Sequence, residues 1–229
     1  MIDIHCHILP GTDDGAVDDA AALAMARVAA KDGVTTIIAT PHISDHLLPA
    51  AEIKHRTDAL NRLLHQANIP VNILPGAEIA SHLDITHWGD YRLADGNSVL
   101  IEFPHSHFPT SAPNLLRDAL AQGLQPIIAH PERNPGIMHN PTLLTPLVAL
   151  GVRVQLTAQS IVGAFGPAIQ QCAYFLLRQN LVHFLASDAH SPDYRTPQLS
   201  KGLKIAGKIL GKQQALELVR VNPQATLNQ

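Results

Sequence analysis

Seven short apolar runs alternate with helical patterns along this chain, and this alternation constrains the fold more than any other feature. The runs cover residues 1–6, 34–40, 71–75, 98–103, 125–129, 152–157 and 182–187. Most of them are continuous rather than alternating in polarity, which is typical of parallel strands that are covered on both faces. The helical patterns cover residues 18–32, 50–66, 112–122, 142–150, 167–179, 198–210 and 213–221. Strands that are repeatedly followed by helices predict right-handed βαβ units and a parallel sheet.

The repeating units indicate a single domain that spans residues 1–229. Seven units in 229 residues fit either a closed α/β barrel or an open, doubly wound sheet. No glycine fingerprint of the G-x-G-x-x-G or P-loop type follows any of the runs. A nucleotide-binding open sheet therefore loses its strongest support.

The overall charge and hydropathy exclude several classes of protein. A net charge of −3 does not indicate binding to nucleic acid or to an anionic membrane, both of which attract basic proteins. No apolar run reaches the roughly 18 residues that span a bilayer, and the N-terminus lacks the basic segment of a signal peptide. Two cysteines, Cys6 and Cys172, do not make a disulfide framework. These observations predict a cytoplasmic protein with no nucleic-acid partner and no membrane insertion.

Potential metal ligands follow six of the seven apolar runs, in a chain that holds 14 histidines. They are His5, His7 and Asp14 at the first run, His42 at the second, Glu78 at the third, Glu102 at the fourth, His130 at the fifth, and Asp188 and His190 at the seventh. Successive side chains on a strand face opposite sides, so His5 and His7 share a face, as do Asp188 and His190. Because the strands of a barrel end at one mouth, we expect all nine side chains to converge there.

The composition of this ligand set indicates a cluster of metal ions. Four carboxylates that converge without counter-charge cannot all stay ionised, and bound cations remove that cost. Nine mixed nitrogen and oxygen ligands exceed what one ion takes, so the set predicts two or three divalent ions with bridging carboxylates. Imidazole with carboxylate and no thiolate suits manganese, iron or zinc. Such a cluster is typical of hydrolysis by a metal-activated hydroxide, commonly of a phosphate ester.

Two arginines are the candidate catalytic residues that would hold the phosphate. Arg133 lies three residues after His130, and Arg195 lies five residues after His190. The planar guanidinium group matches a phosphate through two parallel hydrogen bonds, whereas a lysine would act as a point charge. Plainer interpretations stay open: Arg133 could pair with Glu132 or with a helix end, and Arg195 could be a surface cation.

Several other residues near the predicted ligands carry weaker hypotheses. Asp14 could be only part of the turn that starts the first helix. Cys6 lies between two ligands and on the opposite strand face, so we predict a small buried hydrophobe. His105 and His107 form a second H-x-H that could contact the substrate or compete for a metal. The remaining histidines, His46 among them, are expected to have ordinary structural roles.

The motifs, in their order along the chain, resemble those of the polymerase-and-histidinol-phosphatase (PHP) superfamily. They are H-x-H at the first run, D-D-G, T-P-H, G-x-E, L-I-E-F, A-H-P-E-R-N and A-S-D-A-H, and the resemblance covers residues 1–222. Within the superfamily the chain is most similar to the bacterial manganese-dependent tyrosine phosphatases of capsule and exopolysaccharide systems. The resemblance implies a distorted seven-stranded (β/α)7 barrel of the PHP type, with the metal site at the C-terminal ends of the strands.

The resemblance also implies an activity and a division of the ligands among three ions. By motif, His5, His7, Glu78 and Asp188 would hold one ion, Glu78, Glu102 and His130 a second, and Asp14, His42 and His190 the third. The implied enzyme is a phosphoric monoester hydrolase that dephosphorylates phosphotyrosine by in-line attack of a metal-bridging hydroxide. Its partner would be a phosphotyrosine-bearing protein, the tail of a bacterial tyrosine kinase in polysaccharide synthesis or export. Manganese is the expected metal, and a homo-oligomer is compatible with the resemblance.

Two alternative functions stay open from the sequence. The first is a PHP phosphatase for a small phosphomonoester such as histidinol phosphate. The second is a non-catalytic docking module that retains the metal cluster. Relative turnover of phosphotyrosine peptide and histidinol phosphate separates the two enzymes, and the docking module predicts metal binding without release of phosphate.

Overall fold

Short parallel strands form the centre of the computed structural model, which describes residues 1–44 and 48–227. The strands are β1 (Ile2–Cys6), β2 (Thr36–Ala39), β3 (His42–Ile43), β4 (Asn72–Pro75), β5 (Glu78–Ala80), β6 (Ser98–Glu102), β7 (Gln125–Ile128), β8 (Arg153–Thr157) and β9 (Phe184–Ala186). All the pairings between these strands are parallel. The predicted α/β class with a parallel sheet is therefore confirmed.

The strands form two hydrogen-bonded sheets, in the orders β1-β2-β4 and β3-β5-β6-β7-β8-β9. The second apolar run thus yields β2 and the third yields β4, while β3 and β5 are additional short strands that begin just after these runs. Pro41 lies between β2 and β3 and has no N–H for the ladder. Gly76 lies between β4 and β5, where a Cβ would be 2.6 Å from the side chain of Ile38. The described residues contain nine strand segments, and their grouping into seven barrel strands stays a prediction.

Backbone hydrogen bonds join the end of β1 to the segment that follows β9. The N–H of Asp188 donates to the carbonyl oxygen of His5 at 2.8 Å, and the N–H of His7 donates to that of Ala189 at 2.9 Å. Cys6 and Ala189 form a parallel bridge at the same place. Residues from the two ends of the chain therefore meet where these strands end.

Helices follow most of the strands. The α-helices are α1 (Asp19–Lys31), α2 (Ala50–Gln66), α3 (Ala112–Ala121), α4 (Pro135–His139), α5 (Leu144–Ala149), α6 (Ala158–Val162), α7 (Pro167–Arg178), α8 (Ser200–Leu210), α9 (Lys212–Glu217) and α10 (Val221–Leu227), with 3-10 helices at Ile85–Asp90, Pro131–Arg133 and Pro141–Leu143. The sequence pattern did not predict α4, α6 and α10, because five to seven residues are too few to show helical periodicity, and the helix predicted at residues 213–221 ends at Glu217. Among the described residues, no helix is both long and apolar enough to cross a bilayer.

Local sequence explains the limits of the first helix. The carboxylate of Asp18 accepts a hydrogen bond from the N–H of Ala21 at 2.8 Å and so caps α1. Alanine, the strongest helix former, fills much of its length. Gly33, at φ +86°, follows the helix and allows the chain to turn toward β2.

Apolar side chains are buried on both faces of the strands, as the continuous apolar runs predict. One large cluster joins the strands to the helices and includes Met25 of α1, Leu60 of α2 and Leu116 of α3. A smaller cluster collects Ile4, Ile38, Leu100, Ile127 and Phe184 from different strands. Because packing fixes the strands on both sides, their ends can hold polar side chains in defined positions.

Candidate metal centre

The nine predicted ligands gather beside the C-terminal ends of β1, β2, β4, β6, β7 and β9, where His42 and Glu78, the first residues of β3 and β5, pair in register. Their ligand atoms form four groups, each within 4.8 Å: His7, Asp14, His42 and His190; His5, Glu78 and His130; His5, His7 and Asp188; and His42, Glu78 and Glu102. Each predicted residue belongs to at least one group, so the fold brings the whole set together. Their role as metal ligands stays a prediction.

Glu78 occupies the centre of this cluster, and its side chain is fully buried. Its Oε2 lies 3.2 Å from Nε2 of His5, 3.4 Å from Nε2 of His7 and 3.1 Å from Nδ1 of His42. Its Oε1 lies 2.9 Å from Nε2 of His130. One carboxylate therefore faces four imidazoles, which is the position that a bridging ligand needs.

Two neighbouring side chains fix the tautomers of His5 and His7. Oε1 of Gln155 is 3.3 Å from the backbone N–H nitrogen of His130 and 3.0 Å from Nδ1 of His5, so Nδ1 of His5 carries a proton. Oδ2 of Asp13 lies 2.7 Å from Nδ1 of His7, and a carboxylate only accepts, so this Nδ1 also donates. In the neutral rings, both Nε2 lone pairs are left on the side of the cluster.

This arrangement of lone pairs fits bound metal cations. The Nε2 atoms of His5 and His7 lie 3.1 Å apart, and Oδ1 of Asp188 lies 3.4 Å and 3.5 Å from them. Lone pairs and anionic oxygens this close repel one another unless a positive charge lies among them. Oε2 of Glu78 is also buried without a hydrogen-bond partner. Imidazole nitrogens and carboxylate oxygens are ligands that manganese, iron and zinc accept, so these residues fit such a centre.

The charges of the cluster shift the pKa values of its members. Burial opposes the protonation of His7, but the hydrogen bond to Asp13 and the carboxylates nearby raise its pKa well above the ordinary value. Burial likewise opposes the ionisation of Glu78, yet the surrounding histidines, His5 first, hold its pKa well below the usual range. At Glu102, burial and the charge of Glu78 raise the pKa to about 7. The negative charge of these carboxylates can thus be compensated either by protons on the imidazoles or by bound cations.

The group that contains Asp14 lies at the exposed edge of the cluster. Oδ1 of Asp14 lies 3.3 Å from Nε2 of His190 and 3.5 Å from Nε2 of His42, and its side chain is 65% exposed. Asp18 caps the first helix, and Asp13 closes the turn by accepting from the N–H of Gly15 at 3.0 Å. Asp14 therefore faces the histidines while its neighbours make the turn.

Both candidate arginines donate to the same carboxylate oxygen. Nη1 of Arg133 and Nη2 of Arg195 hydrogen-bond to Oδ2 of Asp188, the latter at 2.6 Å. The arginine side chains are 19% and 18% exposed, unlike free surface cations. Oε1 of Glu132 accepts instead from the backbone N–H of Thr157 at 3.0 Å. The contacts therefore differ from the plainer interpretations of these arginines.

Three residues of the site adopt left-handed backbone conformations that are rare outside glycine. The φ angles are +29° at His130, +51° at Asp188 and +53° at Arg195. Such conformations cost about 1–3 kcal/mol each and persist where the surrounding structure imposes them. His130 lies just after β7 and Asp188 just after β9, while Arg195 follows seven residues later and its side chain reaches back to Asp188.

The second H-x-H lies at the edge of the cluster. Nε2 of His105 is 3.3 Å from Oε1 of Glu102, and the His105 side chain is 70% exposed. His107 is also exposed, and substrate contact at either histidine stays a prediction. Cys6 is fully buried in the large apolar cluster, as predicted. His46 lies outside the described residues.

Two residues that hold the ligands were not predicted, namely Asp13 and Gln155. Gln155 is an uncharged polar residue between Val154 and Leu156 in the sixth apolar run, and a buried amide requires hydrogen-bond partners, so this signal was available. Asp13 directly precedes Asp14, and nothing in the D-D-G motif tells which carboxylate faces the metal. Both residues act on the orientation of the histidines rather than as members of the ligand groups.

The chain is similar over its whole length to proteins of one family. The family described as capsular polysaccharide synthesis, CpsB/CapC, matches residues 1–228. The chain is 42% identical over 220 residues to tyrosine-protein phosphatase YwqE of Bacillus subtilis (strain 168). The aligned region covers 93% of this chain and 86% of YwqE. It is 29% identical over 234 residues to tyrosine-protein phosphatase CpsB of Streptococcus pneumoniae. Here the aligned region covers 97% of this chain and 96% of CpsB.

Solved structures give the same result at the level of the fold. A structure from the work on YwqE of Bacillus subtilis and CpsB of Streptococcus pneumoniae, described as unique metal-dependent tyrosine phosphatases, matches with a TM-score of 0.94 and 39% identity. The match covers 100% of this chain and 94% of that chain. A β-aspartyl dipeptidase from Fervidobacterium islandicum AW-1 matches with a TM-score of 0.60, 15% identity and coverage of 99% and 72%, a likeness of fold alone.

Proposed function

Because the chain belongs to the CpsB/CapC family of capsular polysaccharide synthesis, we propose that it is a metal-dependent protein-tyrosine phosphatase. Its reaction is the hydrolysis of a phosphoric monoester, the phosphate of phosphotyrosine. The observation that carries the proposal is the convergence of nine imidazole and carboxylate ligands with two arginines at the strand ends. The resemblance to the tyrosine phosphatases of capsule systems, expected from the motifs, is confirmed by the family match and by YwqE and CpsB.

The ligand groups suit two or three divalent ions, with manganese as the proposed metal and iron or zinc as alternatives. In the proposed division, His5, His7, Glu78 and Asp188 would hold one ion, Glu78, Glu102 and His130 a second, and Asp14, His42 and His190 a third. When bound, the ions supply activation of the nucleophile and Lewis-acid stabilisation of the phosphoryl group. Asp13 and Gln155 keep protons at Nδ1 of His7 and His5 and so leave the Nε2 atoms free for this role.

In the proposed mechanism, Arg133 and Arg195 bind and orient the phosphoryl group. Their guanidinium groups meet at one oxygen of Asp188, and each has further N–H donors that can reach phosphate oxygens. These fixed positive charges stabilise the negative charge on the phosphoryl oxygens during the transfer. Asp188 has two tasks, because its Oδ1 faces the imidazoles of His5 and His7 while its Oδ2 holds the arginines. Placement of the phosphate is therefore coupled to the geometry of the ligand cluster.

The proposed substrate is a phosphotyrosine-bearing protein, the tail of a bacterial tyrosine kinase that controls polysaccharide synthesis or export. The names of YwqE and CpsB support the phosphotyrosine chemistry, and the family description supports the link to capsule synthesis. We also propose that the chain acts in the cytoplasm as one domain, residues 1–229.

The proposed fold is a distorted seven-stranded (β/α)7 barrel of the PHP type. The nine strand segments reduce to seven positions if β2 and β3 share one position and β4 and β5 share the next. Two features support this grouping: β3 pairs with β5 as β2 pairs with β4, and backbone hydrogen bonds join the end of β1 to the segment after β9.

Relative turnover tests the proposed function. Purified protein loaded with manganese is given a phosphotyrosine peptide or histidinol phosphate, and the release of inorganic phosphate is measured. We expect kcat/KM to favour the phosphotyrosine peptide. A preference for histidinol phosphate would replace the proposal with the small-substrate phosphatase, and tight metal binding with no release from either substrate would favour the docking module.

A further inference from the structure

We propose that Phe165 is a positioning residue for Arg133, and that its ring holds the guanidinium plane in place for phosphate. This inference rests on the proposed function, since it takes Arg133 as a phosphate-binding residue. The centre of the Phe165 ring lies 5.3 Å from Cζ of Arg133. That distance lies within the range of about 6 Å over which the face of an aromatic ring attracts a cation.

Phe165 lies in a short turn between α6 and α7 that is bounded by two glycines. Gly163 and Gly166 have φ angles of +88° and +95°, which L side chains rarely adopt. Within the turn, the N–H of Gly166 donates to the carbonyl oxygen of Gly163 at 3.1 Å, and the N–H of Ala164 donates to that of Gln159 at 3.0 Å. These hydrogen bonds therefore fix the backbone of the turn on both sides of Phe165, the single aromatic residue in it.

The ring and a carboxylate hold the guanidinium of Arg133 from two directions. Phe165 contacts the group through its π face, while Nη1 donates to Oδ2 of Asp188. The other N–H donors of Arg133 make no hydrogen bond within residues 1–44 and 48–227, and they are not among the buried unpaired polar atoms. The cation–π contact uses none of these donors, so they are left available to phosphate oxygens.

Arg195 reaches the same oxygen of Asp188 by different means. Its backbone is in the left-handed region, at φ +53°, and its Nη2 donates to Oδ2 at 2.6 Å. The cation–π contacts of the described residues do not include Arg195. Loss of the Phe165 ring should therefore free Arg133 and leave Arg195 in place.

The test compares two variants of the manganese-loaded protein with inorganic phosphate as the probe. Phe165→Leu keeps an apolar side chain but removes the π face, whereas Phe165→Tyr keeps the ring. Phosphate affinity is measured by calorimetry and by competitive inhibition of phosphotyrosine peptide hydrolysis. We expect phosphate to bind Phe165→Leu roughly 3- to 10-fold more weakly than wild type, and Phe165→Tyr to retain wild-type affinity.

Two controls separate positioning from packing. Tyr174→Leu removes the ring that lies 5.9 Å from Cζ of Arg178 on α7, and we expect it to leave phosphate affinity unchanged. In an Arg133→Ala background, Phe165→Leu should weaken phosphate binding no further, because the ring acts through Arg133. Thermal unfolding of each variant shows whether the fold is intact.

Equal phosphate affinity in Phe165→Leu and wild type would overturn the inference, as would a Phe165→Tyr variant as weak as Phe165→Leu. Additive losses in the Arg133→Ala background would also overturn it. The failure of the proposed function looks different. In that case wild-type protein releases no phosphate from the phosphotyrosine peptide, yet phosphate binding still depends on the ring.

Discussion

Oδ2 of Asp13 lies 2.7 Å from Nδ1 of His7, so a carboxylate outside the ligand groups sets the tautomer of a predicted ligand. The same oxygen accepts from the backbone N–H of His42 at 3.0 Å. Although burial opposes the ionisation of Asp13, the hydrogen bond and charge of His7 lower its pKa to about 2. Asp13 is therefore ionised at neutral pH and orients two segments that carry ligands, His7 just after β1 and His42 at the start of β3.

Removing this carboxylate should weaken the metal centre. We expect Asp13→Ala to lower metal affinity by about 10- to 100-fold, because the His7 ring loses the partner that fixes its orientation. Competition between the protein and a chromophoric chelator for manganese measures the affinity. Asp118→Ala, at an exposed position of α3, is the matched control and should bind manganese as wild type does. Equal affinities in the two variants would contradict the orienting role of Asp13.

Arg133 should be required for phosphate transfer, while an exposed arginine should not. We expect Arg133→Ala to lower kcat/KM for a phosphotyrosine peptide by about 100-fold, because a donor to the phosphoryl oxygens is lost. Arg62→Ala changes an exposed arginine of α2 and should leave kcat/KM within about twofold of wild type. Steady-state release of phosphate measures both. Unchanged kcat and KM in Arg133→Ala would remove this residue from the mechanism.

Gly15 should tolerate no side chain, because the backbone of His7 lies against it. A Cβ at Gly15 would lie 2.0 Å from the carbonyl oxygen of His7, so the chain must shift to admit alanine. We expect Gly15→Ala to lower the free energy of unfolding by at least about 2 kcal/mol.

Gly207 supplies the matched control for this substitution. It lies inside α8, and a Cβ there would meet its nearest neighbour at 3.9 Å, an ordinary contact. Gly207→Ala should raise the free energy of unfolding by about 0.5–1 kcal/mol, because alanine favours the helix. Urea denaturation measures both variants, and a Gly15→Ala protein as stable as wild type would contradict the described packing of the D-D-G turn.

His183 should make stability depend on pH. Burial, together with the charge of Arg153, lowers the pKa of His183 from 6.5 to about 4, and its Nδ1 accepts from the N–H of Val154 at 3.2 Å. The unfolded chain, with the ordinary pKa, binds this proton more readily than the folded chain. The contribution is therefore fully present above about pH 6.5 and is lost as the pH falls toward 4.

Replacement of His183 should remove this part of the pH dependence. We expect His183→Gln to gain about 1–3 kcal/mol in free energy of unfolding relative to wild type as the pH falls from 7 to 4.5. Urea denaturation at the two pH values measures the difference. His65→Gln, at an exposed position of α2, should follow the wild-type pH dependence. If His183→Gln follows wild type too, the imidazole is not held neutral by the fold.

The positions of the nine ligands were predictable because they depend on local rules. Parallel strands end on one side, and metals accept few residue types, so His5, His7 and Asp188 could be placed together from the sequence alone. The short strands β3 and β5, which follow the second and third apolar runs, were not predictable in this way. The break between β4 and β5 coincides with the contact of Gly76 against Ile38, and these two residues are far apart in the chain.

The residues that hold the ligands depend on distant contacts as well. Gln155 lies 150 residues from His5, and no local pattern connects the two. Phe165 is flanked by small residues in a turn, where a lone aromatic residue carries no signal until its contact with Arg133 is seen. Residue types at strand ends thus specify the chemistry, while tertiary packing specifies how firmly each group is held.

The central claim, that bound metal is required to hydrolyse phosphotyrosine, is tested most directly by phosphate release before and after chelation. Wild-type protein is assayed with a phosphotyrosine peptide as purified, after removal of metal, and after manganese is returned, beside His5→Ala treated in the same way. We predict that release stops on chelation and returns with manganese in wild type, and that His5→Ala stays inactive throughout. Release of phosphate that survives complete removal of metal would contradict the account.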